Sequence, residues 1–199
     1  MSEEQLDTLN NLFEENKFEE IITQIGDKEV DKSFLPRLAL AYFHTEAYSK
    51  STHLFEGLCE GSKDAVRWFN LCTSAIMAGD AQKGLDALDK AIKLNREKET
   101  NGEGIPTPFM HLYATRALFD SGKYNQAFNQ LNELAEIYGA LSITDTHFLY
   151  MRGVPFFDEF VKLSKEILGQ QEVTDAKQGI AYVSSRLDED GKEAMSQLV

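Results

Sequence analysis

Along most of this chain the large apolar residues fall three and four apart, the spacing of a helix that buries one face. The stretch Trp68 to Ala91 has the clearest pattern: Trp68-x-x-Leu71-Cys72-x-x-Ala75, a stop at Gly79-Asp80, then Gly84-x-x-x-Leu88-x-x-Ala91. This predicts two antiparallel helices joined by a tight turn. Small residues (Cys72, Ala75, Gly84, Ala91) stand where the helices must approach closely, and large ones (Trp68, Leu71, Leu88) fill the gaps.

The pattern recurs. Upstream, Leu35-x-x-Leu38-Ala39-x-x-Tyr42 leads through Thr45-Glu46-Ala47 to Tyr48 and then Ser51-x-x-x-Phe55-x-x-Leu58. The turns at Glu46 and Gly79 are about 33 residues apart. At the N-terminus, Ser2 is a natural helix cap, and Leu6, Leu9, Leu12 and Phe13 form a stripe that Asn16-Lys17 breaks. Phe18, Ile21, Ile22 and Ile25 make a second short helix ending at Gly26, and polar residues 27–32 form the next turn. Downstream the period slips by about nine residues through the charged run Asn95–Gly104, an insertion over 96–108 in which Gly102 to Pro108 is read as a loop. The next copy spans Phe109 to Tyr138, with Leu112, Ala114 and Leu118, the turn Gly122-Lys123-Tyr124, then Ala127, Leu131 and Leu134. After Gly139 come a short apolar-rich helix, Asp145 to Met151, and a helix from Pro155 with the stripe Phe156, Phe160, Leu163 and Ile167. A helix over Thr174 to Leu187 presents Ile180, Val183 and Leu187; Asp188–Gly191 breaks it before a last helix bearing Met195, Leu198 and Val199.

The repeated helix pair resembles the tetratricopeptide repeat, with a period of about 34 residues. The likeness covers about residues 3–168, with 169–199 a helical appendage. Residues 35–58 and 68–91 match clearly; Glu46 stands where Gly is usual, and Lys63 where Pro is usual. Thr146-His147-Phe148-Leu149 with Phe156-Phe157-x-x-Phe160 is similar to the closing segment of many bacterial proteins of this kind. The resemblance implies an all-α, right-handed superhelix of about four antiparallel helix pairs with C-terminal capping helices. The first helix of each pair then lines a concave trough. With Leu38, Ala39 and Tyr42 packed, helical geometry turns Leu40, Phe43 and His44 toward it. With Leu71, Cys72 and Ala75 packed, it turns Phe69, Asn70, Thr73, Ile76 and Met77 the same way. The next pair supplies Leu112, Tyr113, Arg116 and Phe119, and Phe13 belongs to the first.

Charge narrows the partners. The chain of 199 residues carries a formal net charge of −13. So acidic a surface repels phosphate backbones and anionic membranes and attracts basic partners. Neither a signal peptide nor a spanning helix is read from the sequence, and a cytoplasmic location is expected. Cys59 and Cys72 read as reduced core thiols.

Catalytic patterns are weak. His44, His53, His111 and His147 lack metal-ligand spacing, Gly61-Ser62-Lys63 lacks the rest of a phosphate loop, and Asp188-x-Asp190-Gly191 lacks the distal Glu of a calcium loop. No enzyme activity, metal or cofactor is expected. The expected function is a scaffold or adaptor that holds a protein or peptide in an apolar trough, with Asn70 and Arg116 as polar anchors. The trough is either open or covered by the chain's own C-terminal stripes. The alternative is a bacterial chaperone or immunity-type protein that sequesters one dedicated, basic partner. The Lys/Asn clamp with which one subclass grips acidic chaperone tails is not matched here.

Overall fold

A computed structural model describes residues 2–26, 30–141, 144–170 and 173–198, with the side chains of Val173 and Thr174 excepted. Positions 27–29 of the expected turn and Val199 of the last stripe lie outside the described residues. The described chain is all-helical: α1 Glu3–Glu14, α2 Phe18–Ile25, α3 Leu35–His44, α4 Tyr48–Cys59, α5 Ala65–Met77, α6 Ala81–Thr100, α7 Thr107–Asp120, α8 Tyr124–Leu141, α9 Thr146–Met151, α10 Phe157–Leu168, α11 Val173–Ser184 and α12 Glu189–Ser196. It divides into two compact units, Met1–Leu94 and Asn95–Val199. The boundary expected at 168/169 falls inside the second.

One turn is used again and again. Asn16, Glu46, Gly79, Gly122 and Gly153 all adopt positive φ, between 57° and 96°. After each, the next N–H closes back on the carbonyl five residues earlier: Lys17 to Leu12 (2.9 Å), Ala47 to Tyr42 (2.8 Å), Asp80 to Ala75 (2.9 Å), Lys123 to Leu118 (2.8 Å) and Val154 to Leu149 (3.0 Å). This is the Schellman closure, which satisfies the last carbonyls of one helix and reverses the chain into the next. Glu46 achieves it without being glycine, at φ 60°, where an L side chain is strained by about 1–2 kcal/mol.

In the first unit, Ser2 caps α1 in a reciprocal capping box with Gln5. Leu9, Leu12, Ile21, Ile25, Phe34, Leu38 and Ala41 form one buried cluster, against which Leu6, Phe13 and Phe18 pack. Further along, the helices approach through small groups. A Cβ on Gly84 would collide with the Ile76 side chain and lie 2.8 Å from the Cys72 carbonyl oxygen. The buried Ser51 hydroxyl donates to the Ala39 carbonyl (2.8 Å) and shares a hydrogen bond with Ser74 Oγ (2.9 Å). This joins α3, α4 and α5 through two small buried side chains.

The second unit departs from the sequence reading in four places. Of the stretch read as a loop, Gly102 to Pro108, Thr107 and Pro108 belong to α7; α6 runs to Thr100 and only about six residues turn back. They are tied down, because the Asn95 amide donates to the Ile105 carbonyl (2.6 Å) while Glu99 accepts from both the N–H and hydroxyl of Thr107 (2.6 Å each). Glu99 thereby caps α7 from the preceding helix. Gly139 does not end α8; it lies inside the helix, at a spot where any Cβ would run into the Arg186 carbonyl oxygen. The chain after α11 is laid directly on α8 there. The stripe of α10 begins at Phe157, not Phe156: Phe156 precedes the helix at 41% exposure, while Phe157, Phe160, Leu163 and Ile167 are buried. Finally, Asp188 does not start a helix break. It caps α12, accepting from Gly191 N–H (2.7 Å), and Glu189–Gly191 form the first turn.

Tyr138 is the hub of this closure. Its ring lies 5.2 Å from Phe157 and 4.9 Å from Phe160, and its hydroxyl donates to the Pro155 carbonyl (2.7 Å). Burial, with Glu159 nearby, holds the phenol well above its ordinary pKa. Among the described residues no helix is long and apolar enough to cross a membrane.

Candidate functional site

The residues expected to line a trough divide between core, edge and surface. In the first unit Phe69 is 7% exposed and Ile76 fully buried; both are core residues of α5, not free anchors. The helix buries two faces, so residues one step beyond the packed stripe are covered as well. Phe43 and His44 stand at the turn end of α3. His44 stacks on Phe18 (4.4 Å, 10° between planes), and Phe43 meets Tyr48 edge-on at 5.4 Å. With Phe13 edge-on to Phe18 at 5.6 Å, these rings form a file joining α1 to α4. Leu40, Asn70, Thr73 and Met77 are half-buried, and the Thr73 hydroxyl donates to the Asn70 carbonyl of its own helix (3.2 Å).

In the second unit Leu112 is buried and Tyr113 is 52% exposed. Arg116, expected as a polar anchor for a guest, is already engaged. It pairs with Glu166 of α10, lies 3.9 Å from Asp120, and has its guanidinium 5.7 Å above Phe119. Phe119 in turn packs on Tyr124 at 5.6 Å. The α10 helix thus meets α7 at this ion pair, while Tyr113 stays exposed.

Two surfaces of the second unit were not foreseen. The first is apolar: Tyr150 (69% exposed), Met151 (68%) and Phe156 surround a hollow of about 460 Å³ with Phe109, Val154 and the carboxylate of Glu159. Tyr113 stands beside Phe109 at 6.4 Å. The sequence held a clue: Phe148-Leu149-Tyr150-Met151 is four consecutive apolar residues in a helix of six. A helix cannot turn four successive side chains inward, and only Leu149 of them is buried. The second surface is a cleft of about 880 Å³ between α8 and α11, where amide side chains stand beside Tyr124, Phe128, Tyr182, Lys123 and Asp175.

Reactive chemistry is little in evidence. Among the described residues no group of three or more His, Cys, Asp or Glu side chains is placed to hold a metal. Cys59 and Cys72 are free and buried. Burial pushes their thiols up to about 11 and about 12, away from the thiolate that nucleophilic chemistry needs. His111 Nδ1 is hydrogen-bonded to Gln130 Oε1 at 2.9 Å. Set against known proteins, the chain matches no family model, no curated protein and no solved structure.

Proposed function

We propose that this chain is a non-enzymatic binding module of tetratricopeptide-like helix pairs, and that it holds a protein or peptide. What supports the repeat reading is the recurring turn at Asn16, Glu46, Gly79, Gly122 and Gly153; apart from the step from Gly79 to Gly122, which holds the insertion, the turns are spaced close to the family's helix-pair period of about 34 residues. What carries the binding reading is the apolar hollow beside α9. Large aromatic side chains grouped on a surface mark interaction sites more often than they mark anything else. The partner sits on this surface of the second unit, and Phe69 and Arg116 are assigned to structure instead. An acidic surface with Glu159 at the hollow suits a guest that carries basic residues beside an apolar anchor; that favours the sequestering alternative, in which one dedicated basic partner is held. No cofactor and no nucleic acid belong to this function, and two unpaired thiols suit a reducing cytoplasm.

The test is affinity capture from native lysate, read by mass spectrometry, with Tyr150→Ser/Met151→Ser run beside the unaltered chain. The expected result is a protein recovered at fixed stoichiometry by the unaltered chain and lost by the variant at unchanged melting temperature. Equal recovery by both places the binding surface elsewhere.

A further inference from the structure

Among the described residues, six aromatic rings lie under one of the protein's own cations: Phe13, Tyr42, Trp68, Phe119, Phe148 and Tyr182. In two of them the cation also holds a carboxylate. Arg116 stands 5.7 Å over Phe119 and pairs with Glu166. Arg186 stands 4.7 Å over Tyr182 and pairs with Glu136. Both sets belong to the second unit, and both place one guanidinium between a ring and an acid. A guanidinium suits that place because it is planar and weakly hydrated, and can stack on a ring while its N–H groups hold a carboxylate.

The hollow beside α9 has the ring and the acid without the cation. Phe156 and Glu159 are three residues apart at the start of α10 and share one side of it. Glu159 is the sole charged residue in the lining, where Phe109 and Tyr150 add further rings. Among the described residues no cation stands over Phe109, Tyr150 or Phe156, and none pairs with Glu159. The cations nearest in sequence lie outside the lining: Arg152 stands 5.3 Å over Phe148, and Lys162 makes no ion pair with Glu159. Tyr150 and Phe156 are exposed, so their faces are open to a guest. An uncharged apolar guest would strip water from the Glu159 carboxylate and give it no partner. A second copy of this chain would bring the same charge of −13 and a second Glu159 to the contact.

We infer that the hollow takes an arginine side chain of the partner polypeptide, its guanidinium stacked on Phe156 and paired with Glu159. The inference rests on the reading of this surface as the polypeptide-binding site and names the residue that the site reads. At about 460 Å³ the hollow is the size of a small-ligand site, with room for an apolar neighbour of the arginine against Tyr150 and Met151.

The experiment is a titration of the full chain with acetyl-Leu-Arg-Leu-amide, followed through the side-chain methyl resonance of Met151. Parallel titrations replace the arginine by citrulline, its uncharged isostere, and by lysine. The expected result is a saturable shift with the arginine peptide, weakened at high salt because the carboxylate is exposed. The citrulline peptide binds about tenfold more weakly and the lysine peptide about threefold more weakly. Glu159→Gln removes the difference between arginine and citrulline with the melting temperature preserved, a cancellation that a merely structural role would not produce. Phe156→Leu removes the preference for arginine over lysine. An unmoved Met151 methyl, equal binding of the citrulline or lysine peptide by the unaltered chain, or preferences that survive these two substitutions would each overturn the inference. So would a Met151 shift that follows protein concentration without peptide, which seats a second copy there. Lysate capture is read separately: capture lost by Tyr150→Ser/Met151→Ser while the arginine peptide leaves Met151 unmoved removes this inference and keeps the binding surface.

Discussion

Residues 1–94 close their helix pairs with small groups, whereas residues 95–199 close with aromatic rings and a returning tail. In the first unit the closest approaches are at Gly84 and at the Ser51–Ser74 hydroxyl pair. In the second, the corresponding work is done by Tyr138 among Phe157 and Phe160, and by the chain at Arg186 laid across Gly139. Both units use the same turn, so the turn alone does not decide how a helix pair is finished. The first unit relies on neighbours near in sequence. The second draws on residues about fifty positions apart, such as Arg116 with Glu166 and Arg186 with Glu136, and the apolar surface it leaves open is the one assigned here to binding.

The comparison breaks most visibly at Phe160. Phe160→Ala deletes a fully buried ring from the aromatic closure and should lower unfolding free energy by about 3–5 kcal/mol in a urea titration. A loss below about 1 kcal/mol would mean that the rings decorate the second unit instead of holding it. The two glycines sharpen the contrast. Gly84→Ala forces an added carbon against Ile76 and the Cys72 carbonyl, and should cost about 1–3 kcal/mol without exposing a new cleavage site. Gly139→Ala meets backbone, not a flexible side-chain end, so it should free the segment around Arg186 to limited proteolysis. Protection there equal to the unaltered chain contradicts the proposed clasp. Glu46→Gly relieves positive φ at some cost in chain entropy, and should raise stability by about 0.5–1 kcal/mol; a loss would show that Glu46 is held by contacts that outweigh its strain.

The smallest effect is alkaline. Cys59 and Cys72, at about 11 and about 12 when folded, ionise nearer 9.0 when the chain opens. The unfolded chain releases its protons first, so this contribution is intact below pH 9 and is lost progressively as pH rises toward 11 and 12. Cys72→Ala should flatten that limb of the stability profile in thermal melts between pH 8 and pH 11 (about the range in which the unfolded thiol titrates). An unchanged limb assigns the alkaline loss to other groups.

What could be read in advance follows from range. Helix existence, the turns at Glu46, Gly79 and Gly122, and the small residues at Cys72, Ala75 and Ala91 are local or nearly so, and the pattern of three and four carries them. The repeat pattern runs out at Gly139, and only the distant Arg186 backbone explains that glycine as a close-approach site. Phe156 and Phe157 are adjacent and equally apolar, and the choice of which is buried is set by where α10 begins. Phe69 and Arg116 were placed by helical phase, which gives a direction but not what occupies it. In Arg116 the occupant is Glu166, fifty residues away.

The division between structural and binding residues is tested most directly by a paired measurement of melting temperature and affinity for the captured partner. Phe69→Ala should lose about 3–5 kcal/mol of stability while the folded fraction binds as before. Tyr150→Ser/Met151→Ser should melt unchanged and lose binding. The opposite pairing, with Phe69→Ala stable but unable to bind and the double variant unstable but competent, would contradict the account and return the site to the trough.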